Sequence, residues 1–385
     1  MIIYPSIIYS LITSVDIPSP DPLGYPVPPW ILQSLSYLTL TFHFLAVNFT
    51  IGGSLLLLWA HFRKKQGHEG AAYFFGSSIP LGVSYIITLG IPPLLFLQVL
   101  YGQLFYSSSI LIGAFWIQVI PVLILAYSGY YYHKLRRETH PRLQWLVIAI
   151  NVFLLFYIGY IYVNNLTLSI SPEKWLTIYA AHPGGGILNH GEPTIIPRLL
   201  LFLSGSFAVS GLALIWRGAY LQKWGYEAEG KYSQSFGLKA FWVSPVLWVI
   251  SAIGIYVARP NDISNLLSSN SVIILLVVGV ISALIACLFA ILANGKQKLL
   301  YPLISSLGVF GGTACVVIFR DLVRLNQLKP YFELSSIPVH AQWGMFALFV
   351  FSLTAALILI IVLSVKVFPK IAEQARSRFD NSDTT

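Results

Sequence analysis

Charge is what this chain has least of. Asp, Glu, Lys and Arg make up only 10% of its 385 residues against 56% apolar residues, and the mean hydropathy is +0.74. A water-soluble fold of this size cannot be covered by so few charges, so a polytopic membrane protein is expected. Cysteine is nearly absent too. Cys287 and Cys315 stand alone in apolar runs, with no CxxC or CxxCH pattern, which argues against a covalent c-type haem, a zinc ribbon or a cysteine-held iron–sulfur cluster. Met345 is the one methionine besides Met1. The apolar runs hold no Asp or Glu in their interiors, Asp321 lying at the end of one. A proton-coupled pump or transporter usually relays through such a carboxylate, so that class is disfavoured. Met1 to Pro29 contains no Lys or Arg and no short apolar core with a small-residue cleavage site, so no removable signal peptide is expected.

What is present is a series of long apolar runs. Spans are expected at about 30–59, 78–105, 110–132, 143–164, 196–216, 241–258, 272–293, 299–320 and 338–367, each near the roughly 20 residues that cross a bilayer. The fold class is therefore an all-α polytopic membrane bundle of about nine transmembrane helices. Residues 1–29 are read as an interfacial segment, 30–368 as the transmembrane domain and 369–385 as a polar, disordered cytoplasmic tail. Pro92 and Pro93 predict a kink in the second helix. Glycines and prolines between Ile178 and Arg198 predict a structured loop, and Arg217 to Lys239 a polar, basic one.

The net charge of +9 is no sign of nucleic acid, because the cations fall in alternate loops. Of the 23 Lys and Arg, 17 lie on one side; the other side has only Lys174, Arg198, Arg259, Arg320, Arg324 and Lys329. By the positive-inside rule the N-terminus is outside and the C-terminus cytoplasmic, in the cell inner (cytoplasmic) membrane.

One histidine interrupts the first apolar run. At helical spacing Ser36, Thr39, His43, Val47, Thr50 and Ser54 share a stripe that must face protein, and His43 lies in the outer half. An ionisable group at that depth is a hint of function. It is either a neutral imidazole bonded to a neighbouring helix or a haem ligand. Gln98, Gln118 and Asn151 read as amides that join helices. His340, in PVHAQWGMF on the same side as His43, is a second ligand candidate or an interfacial cap residue. His182 and His190 fit no common metal spacing, and His61, His68, His133 and His140 read as solvated loop residues. Arg198, Arg320 and Arg324 gather at the outer face. They could hold haem propionates or an anionic lipid, since a planar guanidinium fork pairs with carboxylate or phosphate; the alternative is a structural Arg–Asp pair with Asp321.

With FHFLAVNFTIGG around His43, LGV at Leu81 to Val83, FLQ at Phe96 to Gln98 followed by Tyr101 and Gly102, and an Asn-rich end to the fourth helix followed by Pro172, the chain resembles subunit I of the cytochrome bd quinol oxidases. The similarity is best over the first four helices and is mainly one of hydropathy beyond them. In that family the first helix carries a haem-ligating histidine in a YHFLFVPLTLG-like setting, which maps onto His43. The resemblance implies a respiratory-type electron-transfer subunit in an oxidoreductase complex, with b- or d-type haem, other membrane subunits, and c-type cytochromes as partners at the outer face. The departures narrow it. PRLLLFLSGSFAVSG lacks the fifth-helix histidine, the seventh helix has no methionine, the third offers Gln118 in place of two glutamates, and the quinol loop shrinks to RPNDISNLLSSN. At most one haem, at His43, is expected. Two other classes stay open: a transporter or channel lined by the Pro92–Pro93 region, and a haem-free scaffold that docks redox partners.

Overall fold

In the computed structural model, residues 17–63, 68–140 and 143–382 are described. Among them are no strands and nine helices long and apolar enough to span a membrane: α1 Pro29–Arg63, α2 His68–Leu111, α3 Gly113–Arg136, α4 Gln144–Leu168, α5 Ile195–Lys223, α6 Glu227–Ala258, α7 Asn270–Ala293, α8 Leu300–Leu328 and α9 Trp343–Ser382. The protein is an all-α, multi-pass membrane protein. Lys64, Lys65 and Arg142 of the basic loops, with residues 1–16 and 383–385, lie outside the described residues.

The central element is α1, which packs against α2, α4, α5 and α8. Its small and polar residues explain why so many neighbours can approach: Asn48, Thr50, Gly52, Gly53 and Ser54 are all buried, and side-chain hydroxyls return hydrogen bonds to carbonyls one turn back, as Thr41 does to Tyr37 at 2.7 Å. Such residues replace the missing hydrophobic drive between helices in lipid with close packing and hydrogen bonds.

Three expectations are corrected. Arg217 to Lys239 is not a loop: α5 runs to Lys223 and α6 starts at Glu227, joined by a turn in which Gly225 takes φ +95°. This pair is held by close packing at Gly211 and Gly237, a Cβ on Gly211 standing only 2.6 Å from the Gly237 carbonyl oxygen, and beyond the apolar stretch at Gly218 and Gly230, a Cβ on Gly230 standing 2.7 Å from the Gly218 carbonyl oxygen. It is also held by Gln222 donating to Gln234 at 2.7 Å and by an Arg217–Glu229 ion pair at 2.9 Å. Hydropathy sees only where the apolar run stops. Second, α2 stays helical through Pro92 and Pro93 and breaks at Tyr101 (φ −136°, ψ 29°). There the Tyr25 hydroxyl donates to the Leu100 carbonyl at 3.1 Å, and Tyr101 is drawn toward α8. Third, the polar tail is helical to Ser382 as a continuation of α9.

The described part of the N-terminal segment forms a strap. Tyr25 and Val27 are fully buried. Tyr25 pairs with the stretch before α9, its N–H donating to Pro338 and its carbonyl accepting from His340, both at 2.9 Å. Gly24 sits at φ +64° against the Pro338 carbonyl, a conformation and a contact that leave no room for a side chain.

Candidate functional site

The His43 side chain packs on α2. Its Nδ1 lies 3.1 Å from the Ile86 carbonyl oxygen. A carbonyl only accepts, so Nδ1 carries the proton, and in the neutral ring the Nε2 lone pair is left free. Gly90, one turn further along α2, passes so near that a Cβ there would stand 2.8 Å from His43 Cε1. The absence of a side chain at Gly90 is what lets the imidazole approach the helix so closely. His43 is half-buried, as are all of residues 42–47 on α1 and 309–316 on α8. Phe42 meets Phe310 of α8 with ring centroids 5.4 Å apart, and Phe44 meets Phe202 of α5 edge-on at 4.9 Å. Since successive residues turn 100° around a helix, α1 shows His43 to α2 and Phe44 to α5.

The second assembly is a charge cluster at the end of the bundle where α1 starts and α8 ends. Asp321, buried, accepts hydrogen bonds from Tyr37 of α1 at 2.7 Å, Tyr101 of α2 at 3.1 Å, Gln33 of α1 at 3.4 Å and Arg324 at 3.0 Å. The Arg324 guanidinium also lies 4.6 Å over the Tyr101 ring. Arg324 is thus the structural Arg–Asp partner, with its charge already committed. Glu192, in the loop before α5, takes Arg259 at 2.7 Å and Lys174 at 3.2 Å and a hydrogen bond from Thr194 at 2.9 Å. Burial alone would push its carboxyl up, but Thr194, Arg259 and Lys174 outweigh that and hold it below the usual carboxylate range. Arg198 donates from Nε to Thr194 Oγ1 at 3.0 Å. Arg320 makes no hydrogen bond or ion pair among the described residues, although Arg198, Arg324 and Asp321 are all within electrostatic reach of it.

No known family model matches the chain, and no curated protein sequence matches it. Function is therefore argued from the residues themselves.

The structure brings Arg198, Arg320 and Arg324 together and places His43 on another face of α1. His340 is exposed and bonds through Nδ1 to the Leu23 carbonyl at 2.8 Å; it fastens the strap, and no contact joins it to His43. Among the described residues no group of three or more His, Cys, Asp and Glu could enclose a metal ion. Two of the four histidines read as solvated are in fact buried. His68 stacks on Phe236 and is hydrogen-bonded to the Tyr232 hydroxyl, and His133 bonds Gln144 at 2.8 Å. Sequence reading missed the hub role of Asp321. The available signal was Gln33 and Tyr37, one turn apart on α1 and both polar in an apolar run. Gln118 does act as an interhelical amide, accepting from Tyr157 of α4 at 2.8 Å.

Proposed function

We propose that this protein is a membrane subunit of a respiratory-type electron-transfer complex, in the manner of cytochrome bd subunit I, seated in the cell inner membrane with its N-terminus outside, with His43 as the ligand of a single b- or d-type haem. The observation that supports it is the His43 geometry: Nδ1–H is tied to the Ile86 carbonyl at 3.1 Å, the second-sphere bond that fixes the tautomer and orientation of ligating histidines, and Nε2 makes no hydrogen bond on a side chain that is only half-buried. Gly90, lacking a side chain, leaves room for the ring against α2. When bound, haem supplies a one-electron carrier. The chain's own share is to hold the imidazole in one orientation and to keep apolar rings on the neighbouring faces of α1, Phe42 against Phe310 and Phe44 against Phe202, which exclude water. Arg324 is engaged by Asp321 and His340 by Leu23, so neither is assigned a ligand role. Partners in this reading are other membrane subunits and c-type cytochromes at the outer face.

The test is an optical spectrum of the purified protein. A Soret band that disappears in His43→Ala while the variant keeps the wild-type helical content is the expected result; no band, or one unchanged by the substitution, overturns the haem role. A haem-free chain that co-purifies with cytochromes would instead establish the scaffold reading.

A further inference from the structure

The end of the bundle that carries few cations gathers nearly all of them in one place. Lys174, Arg198, Arg259, Arg320 and Arg324 surround two carboxylates, Glu192 and Asp321, and both carboxylates are spoken for. Glu192 is engaged by Lys174 and Arg259. Asp321 is engaged by Arg324 and two phenols. Arg198 and Arg320 are left with no acid of their own. Arg198 spends only Nε, on Thr194, and no nitrogen of Arg320 has a hydrogen-bond partner.

Two features separate these arginines from a packing accident. Sealed-off guanidinium nitrogens do occur elsewhere, at Arg137 Nε, Arg217 Nη1 and Arg259 Nε, but none of the free nitrogens of Arg198 or Arg320 is sealed. Both residues are only half-buried. The two residues also stand at similar depth on adjacent helices. α5 and α8 are tied at their other ends by Trp216 donating to Ser306 at 2.9 Å, and Arg198 and Arg320 lie about 27 and about 21 Å along their helices from that bond at 1.5 Å per residue. Two like charges within electrostatic reach of one another, near the membrane end of a bundle and with no hydrogen-bonded carboxylate of their own, are costly. Their open forks match the oxygens of a phosphate. Arg198 lies in the first turn of α5, whose N-terminal dipole favours the same sign.

We propose that Arg198 and Arg320 clamp one phosphate-class oxyanion, the headgroup of an acidic phospholipid, between the outer ends of α5 and α8. The headgroup is chosen over a free ion because both arginines lie near a helix end, where lipid phosphates stand, and the site is independent of the haem reading, because His43 faces α2.

The experiment is native mass spectrometry of the protein released from nanodiscs of phosphatidylglycerol or phosphatidylcholine. Wild type is expected to retain one phosphatidylglycerol and no phosphatidylcholine. Arg198→Gln and Arg320→Gln are expected to retain it about tenfold less or weaker still, the factor for a lost charge-assisted hydrogen bond. Arg320→Lys, which keeps the charge but not the fork, should fall between. Lys329→Gln, an exposed cation at the same end, and His43→Ala should retain lipid as wild type does. Thermal unfolding separates the site from a structural ion pair. In phosphatidylcholine, Arg320→Gln should melt no lower than wild type, because it removes an uncompensated charge; in phosphatidylglycerol it should melt lower. Any of four results overturns the proposal: no retained phosphatidylglycerol, retention by both glutamine variants equal to that of wild type, displacement by added inorganic phosphate, or loss of the lipid in His43→Ala together with haem.

Discussion

Asp321 offers the sharpest test of how the bundle is held at the end where α1 begins. It joins three helices: Tyr37 of α1, Tyr101 of α2 and Arg324 of α8 all donate to it within 3.1 Å. Asp321→Ala removes the acceptor of two phenols and strands Arg324, whose side chain is only 11% exposed. Interhelical hydrogen bonds in membranes average about 0.6 kcal/mol each, so the phenols alone account for about 1 kcal/mol. A buried partner left charged and unpaired costs about 3–5 kcal/mol. The charge therefore dominates, and the total should be about 4–6 kcal/mol. Asp321→Asn keeps an acceptor for the phenols and should cost about half as much. Removing both charges in Asp321→Ala/Arg324→Met should recover at least about 2 kcal/mol relative to the single alanine variant, less the stacking of Arg324 on Tyr101, worth about 1 kcal/mol. The assay is unfolding by sodium dodecyl sulfate from mixed micelles, followed by circular dichroism. A loss below about 1 kcal/mol for Asp321→Ala, or a double variant no better than the single one, would show that the hub is not an electrostatic tie.

Gly211→Ala places a methyl group 2.6 Å from a backbone carbonyl oxygen of α6, which cannot rotate away, and should destabilise by about 1–3 kcal/mol in the same unfolding assay. Gly90→Ala, with its Cβ 2.8 Å from His43 Cε1, should displace the imidazole and shift or weaken any Soret band while leaving helical content unchanged in circular dichroism. The Glu192 carboxyl is held below its ordinary value of 4.5, so its ties to Lys174 and Arg259 are at full strength above about pH 4.5. They are lost as pH falls through the lowered value, since the unfolded chain then binds the extra proton first. Melting temperature measured from pH 7 down to pH 3 should drop over that lower window, and the drop should be smaller in Glu192→Gln.

Long apolar runs made the nine spans legible, because crossing a bilayer demands the same length and composition whatever the neighbours. Legibility ended where a helix leaves the apolar run. The polar second half of the α5–α6 pair packs through Gly218 and Gly230, and close backbone approach is a property of two helices together, invisible in either alone. Likewise two adjacent prolines in α2 suggested a kink by local chemistry, and the non-helical backbone stands at Tyr101, where Tyr25 takes the Leu100 carbonyl and Asp321 accepts from the phenol. His68 and His133 read as loop residues for the same reason: α2 starts earlier than the apolar run, and α3 ends later.

For the candidate site, residue type and depth alone singled out His43 and the cations Arg198, Arg320 and Arg324. Only the tertiary structure decided which of them act together. It turned His43 toward Ile86 and Gly90 of α2, spent Arg324 on Asp321, and left Arg198 and Arg320 half-buried without a hydrogen-bonded carboxylate. Spacing along a chain sets the face and the height of a residue on its own helix. Which charge meets which depends on how the helices cross, and that is set by small residues and hydrogen bonds spread over the whole bundle.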